Sequence, residues 1–91
     1  MSERISGSAV IRNRRGLHAR AAAKFVKCAE SFQADIVVAK QGTEVSGCSI
    51  MGLLMLAAAE GSRIEIHASG LDARQALDTI LRLIENKFDE D

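Results

Sequence analysis

Apolar residues along this chain alternate between two spacings, and the order of these spacings limits the folds open to it. A period of two marks a strand with one buried face, whereas a period near 3.6 marks an amphipathic helix. The segment RIEIHAS, residues 63–69, predicts a strand because Ile64, Ile66 and Ala68 share one face. The residues that follow predict a long closing helix, whose apolar stripe is Ala73, Ala76, Leu77, Ile80, Leu81, Ile84 and Phe88.

The remaining segments extend this alternation to the start of the chain. Residues 5–11 alternate as a half-buried strand, and ADIVVAK is short and β-branched, as strands are. EVS can pair back on that second strand across the turn QGT. The segment between the first two strands has the apolar spacing of a helix, and SIMGLLMLAA, residues 49–58, predicts a short second helix. The apolar face of the first helix consists of Ala22, Phe25, Val26, Ala29 and Phe32.

The predicted order is β-α-β-β-α-β-α, and it points to one fold class. A tight hairpin among the strands implies an antiparallel or mixed sheet. Alternating strands leave one sheet face polar, so the helices should cover only the other face. We therefore expect an open-faced β-sandwich of the α+β class, formed as a single domain by residues 1–91.

Composition excludes several functional classes. Hydrophobic residues make up 47% of the chain, and no apolar run reaches the roughly 18 residues of a membrane span. The first residues lack the apolar segment of a secretory signal, so we expect a cytoplasmic protein. The two cysteines, Cys28 and Cys48, have no metal-binding spacing, and reduced thiols are expected. No metal or cofactor site is predicted.

Charge is unevenly distributed, although the formal net charge is zero. Residues 12–27 contain no acidic side chain and carry the basic residues Arg12, Arg14, Arg15, Arg20, Lys24 and Lys27. Such a local basic region indicates an anionic group or an acidic partner surface. Nucleic acid is disfavoured, because the aromatic residues are three phenylalanines and the chain as a whole is not basic.

The stretch NRRGLHARAA, residues 13–22, places a histidine where a helix should begin. If the helix starts near Ala19, the backbone N–H groups of Ala19, Arg20 and Ala21 lack intrahelical partners. Together with the helix dipole and the Arg20 side chain, they would form an anion site suited to a phosphoryl group. A ring nitrogen of His18 could take up that group as a nucleophile. The alternative is an exposed histidine beside an ordinary basic surface.

GLHARAA resembles the active-site segment of HPr, the histidine-containing phosphocarrier family of the bacterial phosphoenolpyruvate-dependent phosphotransferase system, whose nitrogen-type members are included. A second segment, CSIMGLLMLA, stands at the expected distance, so that the resemblance covers almost the whole chain. It implies a four-stranded antiparallel sheet covered on one face by three helices. It also implies that His18 carries the phosphoryl group on Nδ1, the pros nitrogen, and that Arg20 assists.

The resemblance implies a carrier that is not an independent enzyme. Enzyme I would be the phosphoryl donor and A-type domains of enzyme II the acceptors, with the carrier acting as a monomer. The chain departs from the family in one respect, since Ala21 stands where proline is usual after His-Ala-Arg. Alanine keeps an N–H that proline lacks, which leaves the effect on the transfer rate open.

Ser49 precedes the second helix and admits two interpretations. A serine in this position commonly caps a helix. SIMG also resembles the serine site of HPr proteins regulated by HPr kinase/phosphorylase, where phosphate would add charge to a docking face. The alternative function is therefore a regulatory binding module whose Ser49 phosphorylation state controls docking to a transcriptional or metabolic partner.

The predicted partner surface combines apolar and basic side chains near His18. Leu53 and Leu56 are expected in the core, while other apolar residues of the second helix form an exposed patch. Basic residues of the first helix, including Arg20, would form a rim that steers acidic partners. The predicted interface residues are Ala23, Lys24, Lys27, Ile50, Met51 and Leu54.

Overall fold

The computed structural model describes residues 3–90, so Met1, Ser2 and Asp91 of the predicted domain lie outside the described residues. The elements follow the predicted order: β1 Ile5–Val10, α1 Ala19–Glu30, β2 Asp35–Lys40, β3 Thr43–Ser46, α2 Ile50–Met55, β4 Arg63–Ser69 and α3 Ala73–Glu85. A short 3-10 segment, Lys87–Asp89, follows α3. Residues 86–90 form what is called below the C-terminal turn.

The four strands form one antiparallel sheet in the order β1-β4-β2-β3. Central strand β4 pairs with both β1 and β2, so that Ile66 lies opposite Gly7 on one side and Val38 on the other. The β2–β3 hairpin turns at Gln41 and Gly42, which both have positive φ angles, as the tight hairpin turns that match strand twist require. These pairings confirm the antiparallel alternative for the sheet.

The helices cover one face of the sheet, as predicted. Ile64, Ile66 and Ala68 of β4 are buried and belong to one core cluster with side chains from all three helices. The opposite face carries polar side chains, among which Ser6 Oγ and His67 Nδ1 lie 2.6 Å apart. Residues alternate between these two environments because successive side chains of a strand point to opposite faces.

The ends of all three helices differ from the predictions. Helix α1 ends at Glu30, before Phe32 of its predicted apolar face. Helix α2 stops at Met55, short of residue 58, because Ala57 adopts a left-handed φ of 51°. Lys40 Nζ then donates to the carbonyl oxygens of Leu56 and Ala57, at 3.0 and 3.2 Å, and satisfies acceptors that the short helix leaves unpaired.

The prediction that Phe88 continues the stripe of α3 is also wrong. The helix ends at Glu85, and Lys87, Phe88 and Asp89 have left-handed φ angles of 59°, 54° and 61°. The Phe88 side chain is nevertheless fully buried, because the C-terminal turn folds the chain back onto the core. Its burial therefore comes from the reversal of the chain and not from helical periodicity.

Ser49 is the N-cap of α2, in agreement with the simpler of its two interpretations. Its Oγ accepts a hydrogen bond of 2.9 Å from the backbone N–H of Gly52. The prediction that Leu53 and Leu56 belong to the core is confirmed, since both are buried. The capping bond fixes the direction in which the chain enters this short helix.

We expect Ser49→Ala to lower the free energy of unfolding by about 1 kcal/mol, because the Gly52 N–H loses its acceptor. Ser49→Asp keeps an acceptor oxygen and should retain most of that stability. Urea denaturation of the three proteins measures the difference. If aspartate proved as destabilising as alanine, the stabilising role of this capping bond would be refuted.

The loop before α1 packs tightly against the loop after α2. Leu17 N–H donates to Ala58 O over 2.9 Å, and Gly16 has a φ of 68°. A Cβ at Gly16 would lie 2.6 Å from Ala58 O and 2.8 Å from Ala59 Cα. Such distances are below van der Waals contact, so glycine allows the close approach that holds the residues before α1 in place.

Gly16→Ala should therefore destabilise the protein more than Gly61→Ala does. Gly61 also has a positive φ, but a Cβ there meets no atom within 4 Å. We expect a cost of about 1–2 kcal/mol at Gly61 from the left-handed backbone alone. At Gly16 the collision with backbone atoms adds to it. Equal losses in thermal or urea unfolding would show that the loop contact adds no constraint.

Candidate functional site

His18 is the N-cap residue of α1, as the sequence predicts. Its backbone is extended, with φ −79° and ψ 178°, and its carbonyl accepts from Ala22 N–H over 2.8 Å. That bond is the first of the helix, so the N–H groups of Ala19, Arg20 and Ala21 precede the helical ladder. The His18 side chain makes no capping hydrogen bond to these groups.

The neighbours of His18 anchor the chain while the ring stays accessible. Leu17 and Ala21 are buried, and the side chain of His18 keeps 21% of its exposure. The Ala21 methyl group lies in the core, whereas its N–H belongs to the unpaired first turn. The helix start therefore presents an imidazole at the surface beside free backbone donors.

Basic side chains of the preceding loop and of the first turn of α1 line a cleft that also contains Glu90, the residue that contacts the His18 ring. Arg14, Arg15 and Arg20 line a cleft of about 380 Å³ together with Glu90. Within residues 3–90, none of these three arginines makes a salt bridge. The sequence placed all three in the basic segment but singled out only Arg20 as a site residue. The cleft is accordingly a region of net positive charge, with three arginines against one carboxylate, and is suited to an anion.

Glu90 is a site residue that sequence reasoning missed. Its Oε2 lies 2.5 Å from His18 Nε2, and its Oε1 accepts from Asn13 Nδ2 over 3.1 Å. The same Asn13 amide donates to Gly16 O over 2.7 Å. The sequence offers only an acidic ending, FDED, as a signal, because 72 positions separate the histidine from its carboxylate partner.

Opposing effects act on the Glu90 carboxyl, and the net result is a pKa below its ordinary value. Burial alone raises this pKa, but hydrogen bonds from His18 and Asn13 outweigh the burial effect. The nearby charges of His18 and Lys24 lower the pKa further. Glu90 is therefore a carboxylate at neutral pH, and the candidate site contains one fixed negative charge among its arginines.

The basic side chains of α1 that were predicted to form a rim differ in their exposure to solvent. Lys27 is exposed, as is Ala23 beside it. Lys24, in contrast, is only partly exposed, and its Nζ donates to Phe88 O over 2.7 Å. The Lys24 side chain therefore helps to hold the C-terminal turn, and its place in a partner interface stays a prediction.

The apolar patch on α2 also differs in membership from the prediction. Ile50 and Met51 are exposed by 40% and 69%, as expected. Leu54 is partly buried and packs against the core, so it contributes little to the surface. Met55, which the sequence analysis did not select, is exposed by 77%. Because α2 packs beside α1, this patch and the Ser49 cap lie on a helix adjacent to the one that His18 begins.

The cysteines lack the features of reactive thiols. Cys28 is partly buried and Cys48 exposed, and both are free. Burial raises the pKa of the Cys28 thiol. The pKa of the exposed Cys48 thiol is raised by partial loss of solvent around the sulfur and by the charges of Glu30 and Asp35. Among residues 3–90 we found no cluster of three potential metal ligands. Nor does any helix of this part have the length and apolarity needed to cross a membrane.

Comparison with known proteins places this geometry in a family. The family model described as the PTS HPr component phosphorylation site matches residues 5–86. The phosphocarrier protein HPr of Xylella fastidiosa is 40% identical over 82 residues, which are 90% of this chain and 92% of the relative. The phosphocarrier protein NPr of Proteus mirabilis is 42% identical over 82 residues, or 89% of this chain and 91% of that one.

The fold also matches solved structures of HPr proteins. The crystal structure of HPr from Thermoanaerobacter tengcongensis superposes with a TM-score of 0.92 at 38% identity, covering 96% of this chain and 98% of that one. Sequence and structure thus agree over nearly the whole length, including the helix start that bears His18. The chain belongs to the HPr family of phosphocarrier proteins of the phosphotransferase system.

Proposed function

We propose that residues 1–91 act as one monomeric, cytoplasmic phosphocarrier domain that accepts a phosphoryl group from enzyme I on His18. The group is then passed to A-type domains of enzyme II. The observation that supports this assignment best is the accessible His18 ring at the start of α1, whose side chain caps no N–H group of that helix and contacts Glu90 of an arginine-lined cleft.

The transfer itself needs little covalent machinery from the chain. His18 Nδ1 forms a bond to phosphorus as the bond between phosphorus and the donor breaks, and the donor keeps the electron pair. Negative charge is spread over the phosphoryl oxygens during this exchange, so catalysis rests on positioning and on positive charge. The N–H groups of Ala19, Arg20 and Ala21 and the Arg20 guanidinium supply donors for those oxygens. The same steps in reverse deliver the group to the acceptor.

The proposed docking face joins the His18 site to α2. Exposed Ile50, Met51 and Met55 form its apolar part, and Arg20 and Lys27 form its basic edge. Flexible methionine side chains fit several partner surfaces, which suits a carrier that must meet both donor and acceptor. The basic edge attracts acidic partners and makes their association sensitive to ionic strength.

Phosphorylation of Ser49 by an HPr kinase/phosphorylase is a second level of the proposal. Ser49 immediately precedes the apolar residues Ile50 and Met51, so a phosphate there would add about two negative charges beside the docking face. Repulsion from an acidic partner would then weaken docking without loss of the fold. If the chain were instead solely a regulatory binding module, Ser49→Asp would change partner affinity and His18→Ala would not.

Incubation with enzyme I and phosphoenolpyruvate should add about 80 Da to the protein, in an acid-labile and alkali-stable form typical of phosphohistidine. His18→Ala should abolish the adduct. His67→Ala is the matched control, because His67 lies on the open face of the sheet, and it should be labelled fully. Intact-mass spectrometry measures all three proteins, and equal labelling of the His18→Ala variant would overturn the proposed function.

A further inference from the structure

Glu90 of the C-terminal turn contacts His18 at Nε2, the ring nitrogen that does not bond to phosphorus in the proposed phosphoryl transfer. Glu90 Oε2 and His18 Nε2 are 2.5 Å apart, and their side chains are only 15% and 21% exposed. Partial shielding strengthens such a contact relative to an ion pair in open solvent. The pairing therefore constrains the protonation of the ring as well as its orientation.

A carboxylate oxygen can only accept a hydrogen bond, so His18 Nε2 must carry a hydrogen. In a neutral imidazole this leaves Nδ1 without a proton and with its lone pair free. That lone pair is not used by α1, because the His18 side chain makes no capping bond. Glu90 thus selects one of the two neutral tautomers, and it is the one that phosphoryl transfer to Nδ1 requires.

A buried amide holds the carboxylate in this position. Asn13 is fully buried, and its Nδ2 donates both to Gly16 O and to Glu90 Oε1. The reversed amide would turn its oxygen towards two acceptors, so these partners decide its orientation. Asn13 Oδ1 is buried and has no hydrogen-bond partner among residues 3–90. The cost of the unpaired oxygen is offset by the two hydrogen bonds that the amide donates, one to Gly16 O and one to Glu90 Oε1.

The backbone that delivers Glu90 is also unusual. Lys87, Phe88 and Asp89 are three consecutive left-handed residues with a Cβ, a conformation that is strained for residues other than glycine. The buried Phe88 side chain anchors them, and Lys24 binds the Phe88 carbonyl oxygen. A strained turn persists only where the surrounding structure enforces it. Here the consequence is that a carboxylate is held against the histidine ring.

We propose that Glu90 is a positioning residue for His18, fixing the hydrogen on Nε2 so that Nδ1 is available to the phosphoryl group. This inference rests on the proposed function. When Nδ1 bonds to phosphorus, the ring keeps its Nε2 hydrogen and becomes positively charged, and the Glu90 carboxylate stabilises that charge. No proton leaves the ring in this step, and Arg14, Arg15 and Arg20 offset the negative charge of Glu90 towards the incoming phosphoryl oxygens.

The test combines a spectroscopic and a kinetic measurement on the full-length protein. Nitrogen NMR of protein labelled with 15N-histidine reports directly which ring nitrogen of His18 carries the hydrogen. For the neutral ring, we expect almost only the Nε2–H tautomer in the wild type and a mixture of both tautomers in Glu90→Ala. The initial rate of phosphorylation by enzyme I and phosphoenolpyruvate should fall about tenfold in that variant, as for loss of a carboxylate that orients a histidine.

Two further variants separate this role from a merely structural one. Glu90→Gln keeps the shape of the side chain and removes its charge, so we expect intermediate values of both quantities. Glu85→Ala removes an exposed carboxylate at the end of α3 and should match the wild type in both. Far-ultraviolet circular dichroism of each protein checks that the fold is retained.

Failure of the positioning role is distinguishable from failure of the proposed function. A Glu90→Ala protein with the wild-type tautomer, or with the wild-type rate, would overturn the positioning role while leaving His18 as the carrier. A reduced rate without a change of tautomer would likewise refute it. In each case complete labelling at long times, lost only in His18→Ala, shows that the proposed function stands.

Discussion

Burial of a single face of the antiparallel sheet is the constraint from which the position of the candidate site follows. The apolar residues of β4 and β2 must be removed from water, and all three helices contribute to the cluster that covers them. Helix α1 enters that layer with Ala21, Ala22 and Phe25 fully buried. Because one side of the helix packs against the core, its first turn lies at the edge of the helical layer, where the His18 ring is accessible to solvent.

Electrostatics at that edge is a balance between three arginines and one carboxylate. Arginine side chains without salt-bridge partners among residues 3–90 favour an anion in the cleft. Glu90 is held within the same cleft by contacts to His18 and Asn13. A purely cationic site would bind phosphate tightly, whereas a carrier must also release it. A fixed carboxylate moderates the positive field while it orients the ring, which suits reversible transfer.

Local signals were enough to predict much of this arrangement. Alternating and helical spacing located the strands and helices, and the resemblance to HPr identified the sheet as four-stranded and antiparallel. The prediction that His18 stands where α1 begins and the capping interpretation of Ser49 are also confirmed, because a helix start depends on a few consecutive residues. Predictions failed where the helical spacing of apolar residues continues past the end of the helix. Phe88 fits the spacing of α3 and is buried, although α3 has already ended at Glu85.

The sequence by itself determined the order of the elements, most of the apolar face of each and the start of α1 at His18, since these are properties of neighbouring positions. Only the tertiary structure decided that Glu90 meets the imidazole, that Lys24 holds the C-terminal turn, and that Met55 rather than Leu54 faces outward. The contacts of Glu90 and Lys24 join residues far apart in the chain, where no spacing rule relates one position to the other. The physical reason is that the reversal of the chain after α3 brings them together, and its left-handed backbone is stable only once Phe88 has a core to enter.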